Sequence, residues 1–554
     1  MLTRQSGIKF ALGLLIIFNI FYFVHLAYYS YVWHDESLVL LHLSGNRPEQ
    51  LINYLFDGQI KSTEQLWQFQ GVNSVKGFPD TLASLYTSSN YDLPLYYSFL
   101  WFLARLLGNS YLVLRGFSVI IWLGILWSFY HLALTLFKNK NAALIASTLI
   151  FFSPRFSGYA LGIWEYGLYV FLSILSSWLF LKAIDSLQPK KDWFFYSLSL
   201  IAGLYTHVFF IFVLVVHSLY FLLQLNSFNS LTKKYYSISL LASLGIYSIW
   251  LTRIFTSRFT VFGWSKGSLP LEVLWQRWVG MIARLFYNFS LANPSSIPII
   301  EYCLIILVII SFIYLAKKAD KKVFTLIILL TIIPFFSLLA WDLIKGFRYT
   351  AVGRFYLPSF LGILLAVTFL LSKGLQHRQI WAKILLILLL VFGLIAKIPY
   401  PLPANRYTGY GSNIPNAYTM INRSQKPLII SEHWLDTLPL IHTTDAKTKY
   451  LFIQSDIRVS IPCLKNQFTD IYLLNPSPSL RQYLDNRSVQ LSPTANQAFW
   501  RIDKKNIDPS CQNRPQPDRL NKLRLRGIGW GSLSLRGIDF YRVLCSLNWR
   551  VPEI

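Results

Sequence analysis

Long apolar runs separated by short charged gaps dominate the chain as far as residue 398. About eleven of them approach or reach the roughly 20 residues that cross a bilayer as a helix. They lie near 9–30, 112–136, 141–157, 162–184, 193–206, 207–225, 236–255, 299–316, 323–341, 355–373 and 380–398. The runs at 193–206 and 207–225 are short and meet at "LYTHVFF", which predicts a tight helical hairpin. A further stretch, "NYDLPLYYSFLWFLARLLG" at 90–108, is interrupted by Pro94 and Arg105. Its tyrosines and tryptophan suit headgroup depth, so it predicts a helix lying in the interface over 92–108. Beyond 398 the pattern changes. "PLIISEHW", "KYLFIQ" and "DIYLLN" predict short strands and "SPSLRQYLD" a helix, hence a small α/β domain.

Composition agrees. Of 554 residues, 54% are hydrophobic and only 14% charged, against about a quarter charged in soluble chains. The expected architecture is a mainly α, polytopic membrane domain over 1–398, followed by an extracytoplasmic α/β domain over 399–554. The first run follows Arg4 and Lys9, exceeds a signal-peptide core and lacks a small-residue cleavage site, so it reads as a retained anchor.

The net charge of +26 would suit nucleic acid, but its distribution excludes that partner. "KNKN" at 138–141, "KKD" at 190–192, "KK" at 233–234 and "KKADKK" at 317–322 fill short gaps between apolar runs. Short loops of that kind are cytoplasmic. The N-terminus is then inside, and 31–111, 256–298 and 399–554 are outside. Cys303 lies in an apolar run, and Cys463, Cys511 and Cys545 in the tail. Their odd count and irregular spacing fix no pairing.

Against this topology, "YYSYVWHDESLVLLHLSG" places His34, Asp35 and Glu36 just past the first run. A carboxylate partly shielded from water gains basicity and can take the proton of an attacking hydroxyl. The plainer alternative is a polar stop to an anchor helix. Cations gather on the same side. "WDLIKGFRYTAVGRFYLPSF" supplies Lys345, Arg348 and Arg354, while Arg155 ends the third run and Arg253 and Arg258 the seventh. Guanidinium forks match phosphate oxygens; headgroup contact or pairing with Asp342 is the alternative. His34, Asp92, Tyr96, Glu165 and His207 are substrate-binding candidates, with Asp92, Glu165 and His207 equally open to a structural role. Trp33, Tyr96 and Trp264 could stack on sugar faces. No Cys/His metal spacing, nucleophile elbow or phosphate-binding glycine loop occurs.

Four segments in order resemble the multi-spanning GT-C glycosyltransferases. The resemblance is to the bacterial relatives of protein mannosyltransferases and aminoarabinose transferases in glycosyltransferase family 39. "WHDESLVLLHLSG" resembles the family's first-loop acidic motif, and "DLPLYYSFLWFLARLLGNSYLVLRGFSVI" its "HPPLYY" stretch. "WFFYSLSLIAGLYTHVFFIFVLVV" resembles its hairpin, and "GRFYLPSFLGILLAV" its "RYFLPALP" span. The family's "HPP" is here "DLP", with Asp92 in place of histidine, and "GYALGIWEY" replaces its "YSQEARMY".

The resemblance implies transfer of a sugar from a polyprenyl-phosphate donor to a lipid, polysaccharide or protein acceptor at the outer membrane face. Asp35, with Glu36 beside it, would be the base; Arg354, Arg348, Lys345 and Arg155 would hold the phosphate. No cofactor is expected, although an acidic pair leaves a divalent metal open. The family likeness also implies a bacterial inner membrane with a periplasmic C-terminal domain. Two rivals are an anionic-lipid transporter or flippase and an inactive glycan-binding scaffold. The transporter would usually show paired repeats and midplane ionisable groups, which the sequence lacks.

Overall fold

The structure is a computed structural model that describes residues 32–88, 92–159, 162–256, 267–288, 298–397, 414–453, 467–485, 490–493 and 499–502. The first apolar run, Arg258, Trp264, Cys463, Cys511 and Cys545 lie outside those residues, as does the side chain of Arg253. The chain divides into two compact units. One comprises Met1–Ser30 and Lys76–Pro401, the other Tyr31–Val75 and Leu402–Ile554.

The first unit is helical as far as it is described, and every apolar run from residue 112 onward folds as helix. Tyr111–Phe137, Tyr166–Ile184, Ile299–Lys318, Lys321–Lys345 and Gly353–Gln376 are long and apolar enough to cross a membrane. Lys140–Phe152, Val208–Leu223 and Ile380–Ala396 are shorter and also apolar. The chain is therefore an integral membrane protein. The most apolar window of Gly353–Gln376 is 100% buried and that of Ile299–Lys318 only 22%. The former is core and the latter a peripheral face. A Cβ on Gly362 would lie 2.2 Å from the Thr331 hydroxyl and 3.0 Å from the Ile327 carbonyl, so that glycine lets two helices close. His217, fully buried, bonds Ser177 and Tyr196 at 3.1 Å each and stacks on Phe180. It is a satisfied core histidine.

Two local features differ from the apolar pattern. The run at 141–157 is broken into Lys140–Phe152 and Pro154–Tyr159, with Ser153 extended between them. A residue before proline is driven out of the helical region. The break sets Arg155 on its own short helix instead of at the end of a span. The stretch 92–108, expected to lie in the interface, forms a helix over Pro94–Leu107, opened by its proline and ended by Gly108 at φ 92.

The second unit is a six-stranded sheet. Its strands are β1 (Lys61–Ser62), β2 (Pro427–Ser431), β3 (Lys449–Phe452), β4 (Asp470–Leu474), β5 (Leu491–Pro493) and β6 (Phe499–Ile502), in the order β1-β3-β2-β4-β6-β5. β2 runs parallel to both neighbours, with Ile429 opposite Tyr450 on one side and Tyr472 on the other. The remaining pairs are antiparallel. Alternate residues of each strand point to opposite faces. Ile429, Tyr450 and Tyr472 meet Leu41, Leu51 and Leu438 on one face; Leu428, Leu451 and Leu473 meet Leu484 on the other.

This corrects the domain boundary read from the sequence. The first outer loop, expected to belong whole to the membrane domain, gives residues 31–75 to the α/β unit. Strand β1 pairs with β3, and helices His34–Leu43 and Pro48–Leu55 cover the first sheet face. A two-residue strand leaves no periodicity to read.

Candidate functional site

Within the helical unit, the loop Gly346–Tyr356 joins two long helices and carries the basic candidates. Asp342 organises it. Its buried carboxylate accepts from Tyr349 N and Thr350 N at 2.7 Å each and from the Thr350 hydroxyl at 2.8 Å. Those are the donors at the start of a 3-10 turn, so Asp342 serves the backbone. Tyr356 OH adds a bond to the Thr350 carbonyl at 3.1 Å. Arg348 is half-buried, and Lys345 is exposed, 5.8 Å from the Trp341 ring centre.

Of the four phosphate-binding candidates Arg155 is the most enclosed, at 8% exposure. Its guanidinium lies 4.7 Å from the centre of the Phe360 ring. Its backbone N–H donates to the Arg284 carbonyl at 3.2 Å. A Cβ on Gly353 would fall 2.7 Å from Nη1 of Arg155 and 2.9 Å from the Met281 sulfur. Only glycine lets the guanidinium lie against that backbone. The Nε and Nη2 donors of Arg155 are buried and have no hydrogen-bond partner among the described residues. Desolvated donors of this kind are rare because each costs free energy until an acceptor arrives.

Arg354 belongs to a neighbouring aromatic cluster that gathers several candidates. Its guanidinium is 5.6 Å from the Tyr166 ring and within electrostatic reach of His207. His207 stacks on Tyr169 at 4.7 Å, and its Nδ1 accepts from Phe209 N at 3.1 Å. In the neutral ring the proton therefore sits on Nε2. The backbone of His207 bridges to Asp92, whose carboxylate accepts from Tyr97 OH at 2.9 Å. Glu165, 6% exposed, opens the helix Tyr166–Ile184 and interacts electrostatically with Tyr97. Asp92, Glu165, His207 and Arg354 thus share one neighbourhood. The Tyr96 ring is fully buried beside Tyr97 and Phe117.

The acidic pair lies in the α/β unit, at the start of His34–Leu43. Glu36 is 0% exposed, and its carboxylate accepts from Trp33 N at 3.3 Å. That is the carboxylate half of a capping box. Asp35 is partly exposed and pairs with Nε2 of His34 at 3.2 Å; the His34 ring meets Trp33 edge-on at 4.6 Å. The two carboxylates therefore divide: Glu36 anchors the turn, and Asp35 stands at its rim. At the amino end of β4, a cavity of about 540 Å³ has Arg423, Arg501 and Asp470 in its lining, with Arg501 already bridged to Asp470. Among the described residues no group of His, Cys, Asp and Glu is placed to hold a metal ion.

Sequence reasoning missed Gly353, Tyr97 and Tyr166 as partners of the basic and acidic candidates. Gly353 did have a signal, as the residue preceding Arg354 in "VGRFY".

No protein-family model matches the sequence, and no curated protein does. Among solved structures, the chain is similar to ArnT from Cupriavidus metallidurans in the apo state, at 13% identity over 90% of this chain and 98% of that one, with a TM-score of 0.43. ArnT from the same organism bound to undecaprenyl phosphate aligns at 11% identity over 90% of this chain and 99% of that one, with a TM-score of 0.49. The archaeal oligosaccharyltransferase AglB from Archaeoglobus fulgidus, in complex with an inhibitory peptide and a dolichol-phosphate, aligns at 12% identity. It covers 76% of this chain and 61% of that one, with a TM-score of 0.40.

Proposed function

We propose that this chain is a membrane glycosyltransferase. It moves a sugar from a polyprenyl-phosphate donor to an acceptor hydroxyl, with Arg155 and Arg354 holding the donor phosphate and Asp35 as general base. The observation that carries the reading is Arg155: a nine-tenths buried guanidinium whose Nε and Nη2 have no partner among the described residues. In a membrane protein such a group marks an anion's place, and phosphate oxygens fit its fork.

The chemistry follows from those groups. The acceptor oxygen forms a bond to the anomeric carbon while the bond from that carbon to the phosphate oxygen breaks. The phosphate leaves with the bonding electron pair, and fixed guanidinium donors stabilise the charge it gains. Asp35 takes the proton of the acceptor hydroxyl, which is otherwise a weak nucleophile. Glu36, capping its own helix through Trp33 N, is a positioning residue that fixes the turn presenting Asp35. The Asp92, Glu165 and His207 neighbourhood beside Arg354 serves to orient the donor sugar. Lys345 and Arg348 act as outer attraction for the anionic headgroup. The lysine-rich gaps support an N-terminus in the cytoplasm and a periplasmic α/β unit in a bacterial inner membrane.

Binding of labelled polyprenyl phosphate to the full chain in nanodiscs tests the reading. Arg155→Met, which keeps the apolar stem and removes the fork, weakens binding by about tenfold or more. Unchanged affinity in a variant with the wild-type thermal midpoint removes the phosphate from this position.

A further inference from the structure

The α/β unit has a topological switch point of its own. In a parallel sheet, ligands settle outside the carboxyl ends of the strands where successive connections leave for opposite faces. β2 and β4 meet that condition. The helix after β2, Trp434–Ile441, buries Leu438, Leu440 and Ile441 on one sheet face, and the helix after β4, Pro478–Asp485, buries Leu484 on the other. The switch point therefore opens between the segments that follow Ser431 and Leu474, residues directly paired in the sheet.

The residues at that opening are polar beyond what the turns need. Glu432 is accounted for, since it accepts from Ser477 N at 2.8 Å and from the Ser477 hydroxyl at 3.1 Å. Asp436 is not used in this way. It is half-buried, accepts from Nδ2 of Asn475 at 3.1 Å, and lies within electrostatic reach of His433 and His34. Asn475 holds a left-handed backbone, φ 44, and its Oδ1 is buried with no hydrogen-bond partner among the described residues. The strained backbone aims an unsatisfied acceptor, and a ligand donor would satisfy it. The helix His34–Leu43 packs on Trp434–Ile441, so Asp35 stands beside the same cluster.

We infer that this crevice binds a neutral saccharide, with Asn475, Asp436 and His433 as its polar contacts and Asp35 at its rim, and that this saccharide is the acceptor. Carboxylates and an amide oxygen accept from sugar hydroxyls, whereas an anionic ligand would meet Asp35 and Asp436. Trp33 and Trp434, both half-buried, offer ring faces for the apolar side of a pyranose. The acceptor role, unlike the binding, rests on the transferase reading above.

Saturation-transfer NMR on the full chain in nanodiscs, with a panel of neutral methyl hexosides and pentosides and no donor present, tests it. Asn475→Gly keeps the left-handed backbone at no strain and deletes the amide; His433→Asn is the second variant. The expected result is saturable binding to wild type, weakened by about tenfold in both variants with the thermal midpoint retained. Absence of glycoside binding to wild type, or equal binding to all three proteins, overturns the assignment. Polyprenyl-phosphate affinity in the same samples reports separately on the transferase reading. Glycoside binding at the crevice in a protein that transfers no sugar overturns the acceptor role alone.

Discussion

The proposed phosphate-binding cations lie in the helical unit and the proposed base in the α/β unit, and each is backed by different groups. In the helical unit the cations lie on aromatic rings and bare backbone: Arg155 against Phe360 and Gly353, Arg354 against Tyr166. In the α/β unit three of the acids, Asp35 and Glu36 after Trp33 and Asp436 after His433, sit in first turns of helices, where free N–H groups and the helix dipole favour anions. A transfer with a phosphate leaving group and a hydroxyl nucleophile needs one set of each. The comparison teaches that each charge is kept by a different local device: aromatic rings and close backbone around Arg155 and Arg354, and the first turn of a helix around Asp35 and Asp436.

The comparison can be broken at its base by unsettling one scaffold. Leu438 is fully buried on the first sheet face, so Leu438→Ala costs about 2–5 kcal/mol. Hydrogen exchange across β2 and β3 rises accordingly, and the Asp35 turn loosens with it. A sharper probe leaves both scaffolds folded. Gly353→Ala sets a Cβ 2.7 Å from Nη1 of Arg155 and displaces that fork, so affinity for polyprenyl phosphate falls by about tenfold. Equal affinity would show that the close approach has no part in binding.

The smallest effect concerns Asp436. Burial holds its carboxyl above the usual carboxylate range, against the pull of His433, His34 and the Asn475 hydrogen bond. The folded state then binds more protons than the unfolded chain between the two pKa values, and stability falls as pH rises through that window. Asp436→Asn removes the cost of ionisation. Its thermal midpoint exceeds wild type at neutral pH, and the difference closes at acid pH below the carboxylate range.

Much of this was legible in the sequence because it rests on periodicity. From residue 112 onward the apolar runs form helices in their expected order, and "PLIISEHW", "KYLFIQ" and "DIYLLN" form β2, β3 and β4. The helix expected at "SPSLRQYLD" is Pro478–Asp485. What periodicity cannot carry was lost. The joining of 31–75 to the tail depends on a two-residue strand and on helices that bury leucines against a distant sheet. The Arg155–Gly353 approach links residues nearly two hundred positions apart. The capping role of Glu36 did have a local signal, since it stands three residues after the helix-start residue Trp33. The crevice at Asn475 had none, because strand order decides where connections diverge, and strand order is not written in any one segment.

The account turns on Asp35. The direct measurement is transfer of label from polyprenyl-phosphate sugars in membranes containing wild type or Asp35→Asn at equal expression. Loss of the base predicts a rate lower by about a hundredfold or more, with polyprenyl-phosphate binding unchanged. Equal rates in the two proteins, or carriers that bind and never turn over, would contradict a carboxylate-assisted transfer.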